Sequence, residues 1–160
     1  YSAAAVANYF IKKATEQERV LSPLKLIKLV YLAHGWHLAL EKEPLINEPI
    51  VAWQYGPVIA SLYHRFKKFG NDNITEYAPV NVSDEKHLTT SRNTPALLDR
   101  VWEVYNKLTA IQLSNLTHES GSPWDTAWNK QKGKDNYNHA ISDKIIQDYY
   151  TEQAKLNTAT

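Results

Sequence analysis

Histidine is the residue type best placed to do chemistry in this chain, because six are present and cysteine is absent. Thiolate metal sites, disulfides and cysteine nucleophiles are therefore excluded. His34 and His37 stand three residues apart in an apolar stretch, so one helix face could turn both toward a single ion. A zinc site needs at least a third ligand. Only His64, or His118 beside Glu119, could supply it, and only by folding back. A metal-dependent hydrolase using His34, His37 and His118 is therefore the weakest of three functional readings. Ser120, Ser122 and His118 lie close in sequence, but no strained Gly-x-Ser-x-Gly elbow presents a nucleophile. Five glycines are too scattered to form a phosphate-cradling loop. The residues assign no catalytic, metal-binding or cofactor-binding role, and the histidines read as satisfied core or interface side chains.

Two other groups of side chains could make contacts. His64, Arg65, Lys67 and Lys68 form a basic run interleaved with Tyr63 and Phe66, which would suit phosphate. No groove-reading motif accompanies it, so a solvated helix face explains it better. The formal net charge of +1 supplies no global pull toward nucleic acid. Nucleic-acid binding, for instance operon autoregulation, is kept as the alternative function. Five tryptophans and ten tyrosines form the second group. Trp53, Tyr55, Trp124 and Trp128 lie beside proline or glycine turns, where rigid exposed surfaces often carry function. Core packing is the competing explanation for each of them.

These residues have to be positioned by a scaffold of one ordinary domain's size, read as a single domain over 1–160. Ser22 and Pro23 signal a helix start, and the residues after them are apolar on nearly every face. Such a helix is buried in a domain or inserted in a membrane. Lys25, Lys28, His34 and His37 interrupt it, leaving no uncharged run of about 18 residues. The expected fold is mainly α, a single compact helical domain around a buried central helix at about 22–41. Lys25, Lys28, His34 and His37 are the few points where that helix meets motif loops or water.

Around it the periodicity predicts an amphipathic helix over 3–13, one opened by Pro57 over 58–69, and others over 96–108 and 109–117. The last of these should point Ile111, Leu113 and Leu116 inward. Ser122-Pro123 and Ser142 signal two more helix starts. A small two-stranded ribbon is expected from about 50–53 and 78–82, where apolar residues alternate. Residues 71–93 read as a polar excursion. No charged segment followed by an apolar run opens the sequence, so no signal peptide, no membrane association and a cytoplasmic location are expected.

Three segments together resemble a known bacterial and phage family. They are PLKLIKLVYLAHGWHLAL with PL (residues 23–40 and 44–45), EPIVAWQYGPVIASLY (48–63) and LSNLTHESGSPWDTAW (113–128). Their order and content are similar to the Panacea domain, also called the SocA-like antitoxin domain, and VANYF at 6–10 suits its usual start. The resemblance implies a non-enzymatic cytoplasmic antitoxin, often encoded beside its toxin in a chromosomal or prophage operon. It implies a cognate toxin as partner, neutralised by direct binding or, in an adaptor variant, delivered to a ClpXP-type protease. The motif residues it singles out as candidate interface positions are Trp53, Tyr55, Gly56, Pro57, His118, Ser122, Pro123 and Trp124.

Overall fold

The computed structural model of the chain describes residues 1–158. Its centre is α2 (Pro23–Glu41), whose start is capped as the sequence indicates. The Ser22 hydroxyl accepts from the Lys25 amide at 3.4 Å, and Pro23 occupies the first turn, where a missing N–H costs nothing. The helix ends where Lys42 adopts a left-handed conformation (φ 64°). Between these limits Leu26, Leu29, Val30, Tyr31, Leu32 and Ala33 are all buried, so apolar residues point outward on every side into other elements.

Those elements are α1 (Ala3–Glu16), α3 (Ala60–Phe66), α5 (Thr94–Tyr105), α6 (Ala110–Thr117) and α8 (Asp143–Thr158), each packed directly on α2. Phe10 of α1 and Trp102 of α5 stack with ring centres 6.4 Å apart. The buried Trp102 indole satisfies its N–H on Gln17 at 2.9 Å. Among the described residues no helix is long and apolar enough to cross a membrane.

A two-stranded ribbon is present, but its second strand is not 78–82. β1 (Val51–Trp53) pairs antiparallel with β2 (Gly56–Val58), in the register Val51–Val58, Ala52–Pro57 and Trp53–Gly56. The turn between them is only Gln54-Tyr55, and Gly56 at φ +117° lets so short a connection close. The other side of β1 is also occupied, since the Ala52 amide donates to His139 O and the Ile141 amide to Ile50 O. Ala78, expected in the ribbon, instead has both its amide and its carbonyl bound by the side chain of Asn8, at 2.8 and 2.9 Å. Pro57 likewise sits in β2 rather than opening a helix, and α3 starts at Ala60. A 3-10 turn (Lys67–Phe69) ends at Gly70, which takes a positive φ of 58°.

The polar excursion is strapped down. The Leu21 amide donates to the Asn73 side-chain oxygen at 2.8 Å and the Leu21 carbonyl accepts from the Ile74 amide at 2.9 Å, and α4 (Val82–Thr90) begins at the Asn81 cap. Within α4 only Leu88 is buried, which is why no apolar period announced it. Helix α6 is rotated relative to expectation. Thr109 and Gln112 close a reciprocal capping box, and Leu113 is buried with Ser114 and Thr117, while Ile111 is 69% exposed and Leu116 38%. The inward face carries two hydroxyls because one of them is needed at the hairpin.

Candidate functional site: a braced hairpin tip

The three motif segments converge on the β1–β2 hairpin. Lys28, in the second turn of α2, is itself fully buried and directs its ammonium to the carbonyls of Pro57 (2.9 Å) and Tyr55 (3.3 Å). Burial pushes its pKa down to about 7, because no carboxylate among the described residues offsets the lost hydration. From α6 the Ser114 hydroxyl donates to the same Tyr55 carbonyl at 2.9 Å. The outer edge of β2 is thus occupied by side chains, and Pro57 has no N–H to offer there. An edge blunted in this way does not template another strand.

Gly56 is required by this arrangement as well as by its φ. A Cβ there would stand 2.7 Å from the Lys28 Nζ and 3.5 Å from the Cβ of His118. His118 ends α6, and its Nδ1–H donates back to the Ser114 carbonyl. Its ring meets Trp124 edge-on, with centroids 5.3 Å apart. Trp124 lies in the short α7 (Pro123–Asp125), which Ser122 starts by accepting the Asp125 amide at 3.2 Å. The chain then widens into a π-helical segment (Thr126–Lys130), so that Trp128 stacks on Trp124 at 5.7 Å. The Trp124 indole N–H donates to the Trp53 carbonyl at 2.6 Å, tying the third motif segment to the second. Trp53 in turn donates its own indole N–H to Asn138 at 2.8 Å.

Seven of the eight candidate motif residues therefore build the brace: Trp53, Gly56, Pro57, His118, Ser122, Pro123 and Trp124. The eighth, Tyr55, contributes its carbonyl to the brace and holds its ring out at the tip, 69% exposed. Lys28, one of the points where the central helix is expected to meet motif loops or water, meets the hairpin loop, and Ser114 and Asn138 complete the site from outside the candidate positions. The signal for Lys28 was present: a lysine inside an all-apolar helix must find oxygen acceptors, and a Gly-Pro turn leaves carbonyls unpaired.

The basic run is divided by the fold. Arg65 and Lys68 both converge on Glu76, Arg65 at 3.6 Å. His64 packs toward the Trp53 ring at 6.5 Å, which leaves Lys67 exposed. The histidines of α2 are fasteners. The Nδ1 atom of His34 accepts from the Ile46 amide at 3.3 Å, which leaves Nε2–H to donate to Asp143 at 2.9 Å. Burial holds its pKa below the ordinary value despite the Asp143 carboxylate. His37 donates through Nδ1 to the Glu43 carbonyl at 2.6 Å and closes the turn after the helix. Among the described residues no group of three or more His, Cys, Asp or Glu side chains is placed to hold a metal ion.

The fold and site define a mainly helical domain built on one buried helix, with a surface hairpin braced from beneath by side chains. The family described as Antitoxin SocA-like, Panacea domain, matches residues 26–125, which include most of α2, the hairpin and the α6–α7 junction. The chain is also 32% identical over 156 residues to the Antitoxin SocA of Caulobacter vibrioides (strain NA1000 / CB15N), covering 94% of this chain and 83% of that protein. The chain belongs to the SocA-like antitoxin family. No solved structure matches it.

Proposed function

We propose that this protein is a non-catalytic antitoxin that neutralises a cognate toxin by binding it directly in the cytoplasm, with the hairpin tip as the contact. One observation carries the choice of surface: the family's motif residues converge to hold still a two-residue turn whose aromatic ring faces solvent. Tyrosine on a rigid support loses little conformational entropy on binding and is enriched among interface hot spots. Membership of an antitoxin family supports a protein partner. Delivery of the toxin to a ClpXP-type protease would be a second fate of the same complex.

The test is co-expression with the product of the adjacent reading frame. That product should arrest growth alone and lose its toxicity when this protein is present. Unchanged toxin half-life in protease-deficient and wild-type cells is expected for neutralisation by binding, whereas protease-dependent loss of the toxin would assign the adaptor route. A neighbour that is harmless alone, or toxic regardless, contradicts the proposal.

A further inference from the structure

Beside the hairpin an open cleft of about 410 Å³ separates it from the first turns of α2 and from α3. One wall is aromatic. Tyr55 stands at the tip, and Tyr63 is 40% exposed and meets the Trp53 ring edge-on at 4.9 Å. The lining includes two lysines, Lys28 beneath the turn and Lys67 on the far rim, and no aspartate or glutamate.

Lys67 is exposed, whereas its neighbours Arg65 and Lys68 are engaged by Glu76. Lys28 is held by two uncharged carbonyls, so the charge it carries at and below neutral pH has no counter-carboxylate among the described residues. The cleft is therefore both apolar and of one sign, in a protein whose overall net charge is only +1.

We propose that this cleft receives an acidic segment of the toxin, which seats an apolar or aromatic side chain against Tyr55, Tyr63 and Trp53 and a carboxylate against Lys67. The proposal rests on the antitoxin reading and specifies the chemistry of its partner. Aromatic walls rimmed by lysine would also suit a nucleic-acid strand. Tracking a phosphate backbone takes several available cations, however, and here the rim offers Lys67 alone. One cation beside an aromatic wall matches one carboxylate beside one apolar anchor, and complementary charge of this kind sets specificity and association rate.

The test uses the full chain and, as probe, the purified product of the adjacent reading frame, with affinity measured at low and high salt. Tyr55→Ala should weaken binding about 30-fold or more, as expected of a hot-spot tyrosine. Lys67→Glu should weaken it about 10-fold and flatten its salt dependence, while Lys12→Glu on α1 should change it less than about 3-fold. All three positions are exposed, and circular dichroism should show each variant folded. A charge-reversing Asp or Glu→Lys substitution in the partner should restore binding to Lys67→Glu.

If the wild type binds and neutralises but Tyr55→Ala and Lys67→Glu match it, the cleft is overturned and the antitoxin reading stands. If the wild type neither binds nor neutralises, the antitoxin reading fails and the cleft proposal falls with it. Salt-dependent binding of the protein's own promoter DNA that Lys67→Glu abolishes would reassign the cleft to nucleic acid.

Discussion

Within α2, Lys28 is buried against the carbonyls of Tyr55 and Pro57, while farther along His34 and His37 are buried against Ile46, Asp143 and Glu43. All three polar side chains fasten something to an otherwise apolar helix. The histidines are matched to their partners as donor and acceptor, and what they fasten is internal: a connecting segment, the start of α8 and the turn after α2. Lysine can only donate, so it is matched to a turn whose carbonyls point inward and whose aromatic side chain consequently points out. The same buried helix therefore closes the fold at one end and presents a surface at the other. A buried polar residue marks a fastened loop, and only the exposure of that loop's far side separates scaffold from contact.

Two glycines break this comparison most strongly. Gly56→Ala places a Cβ 2.7 Å from Lys28 Nζ at a φ of +117°. It should destabilise the protein by about 3 kcal/mol in urea or guanidinium unfolding and disorder the tip. Gly35→Ala drives a Cβ to 2.6 Å from the Tyr150 ring in the histidine-bearing half. It should cost about 2 kcal/mol through overpacking and leave the hairpin's contacts intact. Toxin affinity of the surviving folded fraction should fall for Gly56→Ala and hold for Gly35→Ala.

Titration separates the two regions next. The Lys28 pKa is lowered in the fold from the ordinary 10.5 to about 7. Between those values the unfolded chain holds a proton that the folded chain has released, so stability rises with pH across that window, by at most ~1.4 kcal/mol per pH unit. Lys28→Met should remove this rise. The His34 pKa is lowered from 6.5, so its contribution is complete above that value and is lost as pH falls toward the folded-state pKa. Lys28→Met should leave this acid limb untouched. An unchanged alkaline rise in Lys28→Met would mean that the amine is not the desolvated group at the hairpin.

A smaller structural effect is expected from Ser114→Ala, which removes the second donor to the Tyr55 carbonyl while Lys28 remains. Unfolding should show a loss of about 1 kcal/mol. A loss as large as that of Gly56→Ala would make the hydroxyl, rather than the lysine, the principal brace.

The scaffold was legible in the sequence wherever a local signal coincided with burial. Ser22, Ser122 and Ser142 all cap helices where they were read as doing so, and α2 spans the expected residues. What escaped reading was decided by distant partners. Gly56 to Val58 is too short and too proline-bearing to announce a strand, and its pairing with β1, backed by Lys28 and Ser114 from other elements, holds it as one edge of a hairpin. Val80 and Val82 alternate like a strand, but Asn8 occupies the adjoining peptide and Asn81 starts a helix there. Apolarity alone would turn Ile111 and Leu116 of α6 inward; the demand for a hydroxyl at Tyr55 turns Ser114 inward instead. The motif residues themselves could be named from the sequence, but not their division of labour, because seven brace and one faces out only once the chain has folded.

That division is tested most directly by Tyr55→Ala, assayed together for unfolding free energy and for rescue of growth when co-expressed with the adjacent gene product. The exposed ring makes no hydrogen bond or ring contact within the described residues, so stability should stay within about 0.5 kcal/mol of wild type while rescue is lost. Full rescue by a Tyr55→Ala protein of unchanged stability would contradict the assignment of the hairpin tip as the antitoxin's contact.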